Sequence, residues 1–429
     1  MIIIVGAGPA GLSTAFHLDR TDREFLVLES AAEAGGLCRS FELGGAVFDL
    51  GGHAFFTKHE YVHDLMDQWC RPGIHQQPRQ AWVYSHGTFV RYPFQSHLHG
   101  LPVNVVQDCL NGLFEAARRP PGTPRSMLDW IETSFGAGIA SHFLRPYNEK
   151  VWAHPLSDIA TTWTAGRVVT PDTAAVVAGA LRPQDFRSFP NANVRYPAAG
   201  GFFELFAGIA DKIGHRVRYG HEVRTVDLRH RTLVTQNGVR LDWDRLVSTM
   251  PLDELVRRCA DLPDCCRQAA AELRWNSLKL VNLVFDGGDY STFHRVYSAD
   301  PDVCFHKLVL NSNSSRRLQA SGRFAVQAEI SYSEHKPLDG ADLAGQVRAA
   351  VADMGIVDQD VRPSARSTVS IDRAYPIQTL ATSAARKHIT DALEHYGVLC
   401  AGRFGEWRYI NSDDAVMRGR QCADDLTSA

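Results

Sequence analysis

The chain has no excess of basic charge. Lys and Arg number 45 against 48 Asp and Glu, a formal net charge of −3, so no nucleic-acid partner is expected. It has no apolar run near the roughly 20 residues that span a bilayer, so no membrane partner is expected either. Internal repeats and low-complexity tracts are missing. Nine cysteines are scattered over 429 residues, and only Cys265-Cys266 stand close together. None falls in a CxxC pair or another metal-type spacing, so no metal is expected and the thiols are expected to be reduced and structural. Met1 runs straight into an apolar stretch, so the expectation is a cytoplasmic protein without a leader. Charged residues at 22% and apolar residues at 45% are ordinary for a globular chain. The length suits two or three domains. Nothing in the composition sets an oligomeric state.

What is present begins at residue 1. Met1–Val5 is an apolar run of strand length, followed by Gly6-Ala7-Gly8-Pro9-Ala10-Gly11 and a helix-compatible stretch to Leu18. A second apolar run, Phe25–Leu28, ends on Glu29. Strand, glycine turn, helix, strand and acid in that order make a dinucleotide-binding βαβ unit. Gly6 permits the tight turn, Gly8 lets the backbone approach a pyrophosphate at the helix N-terminus, and Gly11 lets helix and strand pack closely. Glu29, about twenty residues on, suits ribose hydroxyls and would repel a 2′-phosphate.

A second glycine turn follows in Glu33-Ala34-Gly35-Gly36-Leu37-Cys38-Arg39-Ser40. Next come a hairpin over Gly44-Gly45 and then Gly51-Gly52-His53. This series resembles the flavoproteins of the amine-oxidase and phytoene-desaturase superfamily. The resemblance implies that Gly36 and Arg39 run along an FAD pyrophosphate, that Gly51 and Gly52 pass the flavin ring, and that Val223 meets the adenine through its backbone. The implied fold is α/β: a Rossmann-like FAD-binding domain assembled from 1–60, 190–250 and 385–429, a helical substrate insert at 61–189, and a mixed, mainly antiparallel sheet domain at 251–384. Within the insert, Trp82-Val83-Tyr84 and Phe89-Val90-Arg91-Tyr92 flank Ser85-His86-Gly87-Thr88 and read as a short hairpin. Asn311–Arg317 is polar and reads as a mobile loop. Asn411-Ser412-Asp413-Asp414 is an N-cap cluster for a closing helix, whose N-terminus would favour negative charge on a flavin.

Further motifs narrow the resemblance. GGHAFFTKHEY at 51–61, TFVRYPFQ at 88–95, LRPYNEKVWAHP at 144–155, TAGRV at 164–168, NANVRYPAAGG at 191–201, AYPIQTL at 374–380 and AGRFGEWRYINSDD at 401–414 are similar to the UDP-galactopyranose mutases, most closely the eukaryotic form. The resemblance implies an isomerase that uses reduced FAD without net redox change, with NADPH or NADH as the external reductant. Flavin N5 attacks the anomeric carbon of a nucleotide sugar and expels the nucleoside diphosphate; an iminium adduct opens the ring, which recloses as the furanose. Arg167 and Arg295 match the arginines that clamp the diphosphate, a task suited to the planar guanidinium fork. His53 matches the active-site histidine. Asn148 and Trp152, four apart and so on one helix face, match positions beside the sugar and flavin. Tyr375 and Tyr409 match hydroxyls on the diphosphate, Asn191 a polar substrate contact, and Gly402, Arg403, Asn411 and Ser412 contacts to the cofactor.

The chain departs from those mutases at Ala198-Ala199-Gly200-Gly201-Phe202-Phe203, which is closer to the wider oxidase superfamily. Phe285 is expected where a eukaryotic mutase has a tyrosine near the diphosphate. Two other classes remain: an FAD-dependent oxidase or desaturase acting on an amine or apolar ring, and a non-catalytic FAD-binding scaffold. The paired arginines and PYNxKVW argue against the first, and the presence of His53 with both arginines argues against the second.

Overall fold

The computed structural model describes all residues except 120, 121, 165, 166, 169, 171, 185–191, 288, 289, 339, 341 and 429. Its first sheet is parallel, in the order Val398–Cys400, Arg245–Ser248, Ile2–Val5, Phe25–Leu28, Val217–Arg218. The Ile2–Val5 run is unbroken because both faces are covered. Ile2 and Ile4 point into a core with the helices Pro9–Leu18, Glu204–Lys212 and Ser412–Ser428. Ile3 and Val5 point the other way, into a core with Trp243, Ile389 and Leu393. The helices Pro9–Leu18 and Ser412–Ser428 touch backbone to backbone: a Cβ on Gly419 would lie 2.3 Å from the Ala10 carbonyl oxygen.

The second sheet has seven strands, in the order Ala365–Ile377, Arg274–Asp286, Arg323–Tyr332, Lys307–Leu310, Arg295–Ser298, Ala81–Ser85, Thr88–Arg91. Its pairs are antiparallel apart from Arg295–Ser298 with Ala81–Ser85. The helix Leu343–Asp353 packs on one face through Val347 and Val351. The helices Val103–Ala117, Met127–Ile139 and Arg145–Trp152 form a separate apolar cluster against the hairpin edge. Ser126 caps the second of these, accepting from the Asp129 amide. Among the described residues no helix is long and apolar enough to cross a membrane.

Three expectations change. The stretch 61–189 is helical only in part. Ile74–Pro78 pairs with Asn193–Pro197, and the hairpin expected around Ser85–Thr88 is present as Ala81–Arg91, where it joins the large sheet. Alternation drives this: Ala81, Val83 and Ser85 are buried, and a strand needs a sheet to receive such a face. Asn311–Arg317 is not a loose loop. Asn311–Ser315 are buried, and Asn313 donates to the carbonyls of Ser291 (2.6 Å) and Phe293 (2.7 Å). Their polar side chains satisfy neighbouring backbone, so polarity here does not mean solvent. Phe285, finally, lies in the apolar core with Tyr290 and Phe324, so it takes no tyrosine's place at a ligand.

Candidate functional site

The first part of the site is a cradle of glycines. Gly6 turns the chain at φ +99°, and a Cβ on Gly11 would lie 2.0 Å from the Gly6 carbonyl oxygen. The two glycine turns face each other: a Cβ on Gly36 (φ +55°) would come within 3.2 Å of Gly8 Cα. The helix Pro9–Leu18 opens at Gly8 with no side-chain cap, so its first amides are left for a ligand. Gly402 (φ +85°) approaches the same helix end, where its Cβ would lie 3.0 Å from Ala10 Cβ. Glu29 is buried below, accepting from the amides of Ala7 (2.7 Å) and Ala31 (2.8 Å). The His221 amide bonds to the Glu29 carbonyl, which brings the Val223 strand to the same end; Val223 itself is buried. Arg39 donates to the Gly36 carbonyl at 3.0 Å, with Glu33 3.5 Å away. Missing Cβ atoms, an uncapped helix N-terminus and a carboxylate at the second strand fit a dinucleotide such as FAD.

The second part lies where the Gly51–His53 turn meets the seven-stranded sheet. Gly52 packs so tightly that a Cβ would lie 2.2 Å from Val309 Cγ2, and its amide donates to Glu329 Oε1 at 2.6 Å. Glu329 is fully buried and pairs with Lys307 Nζ at 2.8 Å. The His53 ring stacks on Phe202 at 4.7 Å. Its Nδ1 is buried with no partner among the described residues. Burial first, then the charges of Arg403 and Lys307, push its pKa down to about 3, so the imidazole is neutral at pH 7. Arg295 is 6% exposed and donates to the His53 carbonyl. Burial disfavours its charge, and no carboxylate among the described residues lies at ion-pair distance from it.

Aromatic rings and further cations complete this part. Arg79 lies under Tyr92 (5.0 Å) and donates to the Tyr297 hydroxyl at 3.0 Å. Burial alone would raise the Tyr297 phenol pKa, but Arg79, Arg295 and Lys307 together pull it below its ordinary value. Tyr375 is pushed up to about 12 by burial, and its ring lies 5.7 Å from Tyr409. Trp152 is buried, 5.4 Å from Tyr409 and 4.9 Å from Trp163, with its Nε1 unpartnered among the described residues. Arg403 lies 5.5 Å over the Tyr375 ring and donates to the Ile410 carbonyl.

Arg295 bonds to the His53 carbonyl, Arg403 lies over Tyr375, and Tyr375, Trp152 and Tyr409 are in ring contact, so this part of the site is one connected cluster. Arg167 stands at its rim, its guanidinium 5.1 Å over the Tyr409 ring and 3.3 Å from Asp414. Asn148 shares the helix Arg145–Trp152, but its amide donates to the Leu144 carbonyl of its own helix. Ser412 opens the closing helix, where the exposed Asn411 offers its carbonyl to the Ala415 amide. Asn191 lies outside the described residues. Sequence reasoning missed Arg79, Tyr297, Lys307 and Glu329. One signal was available: Arg295 and Tyr297 are two apart on a strand and so share a face.

A family model described as flavin-containing amine oxidoreductase matches residues 9–293. Among solved structures, the chain is similar to a reduced UDP-galactopyranose mutase. They are 28% identical with a TM-score of 0.95, covering 100% of this chain and 95% of that one. A coproporphyrinogen III oxidase of Mycobacterium tuberculosis is 24% identical over 312 residues, 66% of each chain. A ferredoxin–NADP reductase of Wolbachia pipientis is 33% identical over 67 residues, 16% of this chain. The chain spans only 20% of that reductase's length.

Proposed function

Since the chain belongs to the flavin-containing amine oxidoreductase family, we propose that it is an FAD-dependent mutase interconverting pyranose and furanose forms of a nucleotide sugar, UDP-galactose or a close relative. The supporting observation is Arg295, a buried cation with no carboxylate partner among the described residues. A buried charge needs a counter-charge, and a diphosphate supplies one. The likeness to a UDP-galactopyranose mutase supports the same reading.

Reduced flavin, when bound, supplies the nucleophile for the anomeric carbon. The chain's own residues do the rest. Arg295 takes the charge that develops on the departing diphosphate, in a low-dielectric setting where fixed charge counts most. Arg167, at the rim, exchanges Asp414 for a phosphate oxygen. The Tyr375 and Tyr409 hydroxyls orient the diphosphate, and the two tryptophans keep water from the sugar. His53, held neutral by its surroundings, acts through hydrogen bonds: its unpartnered Nδ1 is free to accept or donate one, according to tautomer, to a sugar hydroxyl and so orient it for ring opening. Lys307 and Glu329 hold the Gly52–His53 turn in place. NADPH or NADH is the proposed reductant, and the cytoplasm the proposed location.

Calorimetry with UDP and with uridine tests this reading. Arg295→Gln is expected to weaken UDP by about 2–5 kcal/mol and leave uridine unchanged. A wild-type protein blind to UDP would refute the proposal. An oxidase reading has support in the similarity to coproporphyrinogen III oxidase, but a site lined by Arg79, Arg295, Arg403 and several phenols, with Arg167 at its rim, suits an anion better than an apolar ring.

A further inference from the structure

Cys265 and Cys266 stand at the start of the short helix Asp264–Ala270. In sequence they are an isolated pair. In the fold, His388, more than a hundred residues later on the helix Thr382–His395, comes beside them. The two sulfurs and a His388 ring nitrogen all lie within 4.8 Å of one another. The two helices are packed together by a shared core that includes Cys266, Ala385 and Ile389. His388 sits next to Ile389 and one turn from Ala385, at the edge of that packing face. The juxtaposition is therefore fixed by the core and not by a loop.

We propose that Cys265, Cys266 and His388 bind a thiophilic divalent cation of the Zn²⁺ class, with solvent as the fourth ligand. The donor set, two sulfurs and one imidazole, is the kind zinc takes where it keeps an open position. Zinc–ligand bonds of about 2.0–2.3 Å place tetrahedral donors about 3.5–3.8 Å apart, so donors within 4.8 Å need only small side-chain rotations to close on an ion. Nearby cations do not compete. Arg267 is committed to Asp264 and the Leu262 carbonyl, and Lys387 to Asp391. No hydrogen bond or ion pair engages His388 among the described residues. A bound ion takes both sulfurs as thiolates and so displaces up to two protons, one from each sulfur. Cys265 and His388 are exposed, so an ion can enter from solvent. The site would tie the helix Thr382–His395, which follows the strand bearing Tyr375, to the helix Asp264–Ala270.

The test is titration of tag-free, thiol-reduced holoenzyme with Co²⁺ alone, followed by Zn²⁺ competition. A tetrahedral thiolate–cobalt site absorbs in the red, beyond the flavin bands. The expected result is one ion per chain with that spectrum, displaced by Zn²⁺ with proton release. Cys265→Ser and His388→Ala each change an exposed side chain and leave the core intact. Each is expected to weaken binding at least as much as the roughly tenfold to hundredfold that even an outer-shell change costs. No red band, binding unchanged in His388→Ala, or a Cys265–Cys266 disulfide formed in place of ion binding would each overturn the proposal.

Discussion

At the scale of single residues, the site depends on how buried charge is balanced. Burial opposes ionisation of both Glu329 and Lys307, and their pairing overrides it: Lys307 holds Glu329 well below the usual carboxylate range, and Glu329 holds Lys307 above the usual amine range. Lys307→Met would leave Glu329 buried and unpaired. A loss of about 3–5 kcal/mol is expected in urea unfolding, much of it restored in the double variant with Glu329→Gln. A single variant as stable as wild type would show that Lys307 does not balance this carboxylate. His53 and Arg295 were legible because a GGH turn and a lone arginine on a short strand are local signals. Arg79, Tyr297 and Lys307 were not, because each acquires its partner only when strands distant in sequence align. The Arg167–Asp414 pair was hidden for the same reason, the two standing 247 positions apart.

At the scale of elements, glycines decide how closely helices and turns approach the cofactor cradle. Gly419 lets the closing helix lie on the backbone of Pro9–Leu18. Gly419→Ala is expected to cost about 1–3 kcal/mol by overpacking and to lower the flavin content of purified protein, read from the ratio of flavin to protein absorbance. Unchanged occupancy and melting temperature would contradict that role. The βαβ unit and the Gly44-Gly45 hairpin were readable because strand period and turn chemistry agree there. Asn311–Ser315 was misread because composition reports polarity and not whether the polar groups face water. The hairpin at 81–91 was readable, but the strand Ile74–Pro78 was not, nor were the partners of either: a short run takes its sheet partner from elsewhere in the chain, Arg295–Ser298 in one case and Asn193–Pro197 in the other.

At the scale of the whole molecule, buried histidines make stability depend on pH. Burial, with neighbouring arginines, lowers both His53 and His294 to about 3. In the unfolded chain each returns to about 6.5. Their contribution is therefore fully present above pH 6.5 and is lost as pH falls toward 3, by up to about 1.4 kcal/mol per pH unit for each group. Asp49 works in the opposite direction. Burial raises it to about 6, so its contribution is present below its unfolded value and lost as pH rises through 6. The melting temperature is expected to fall from pH 6.5 to 4, with part of the fall offset by Asp49. His294→Gln is expected to be less stable at pH 7 but to show a shallower fall; an equally steep one would remove His294 from the account.

The most direct test of the central claim is to incubate the anaerobic, dithionite-reduced protein with UDP-galactofuranose and separate the nucleotide sugars. The expected product is UDP-galactopyranose, formed over many turnovers with no net oxidation of the flavin and no activity in the oxidised protein. Oxygen uptake coupled to substrate oxidation, with no isomer formed from this or any related nucleotide sugar, would contradict it.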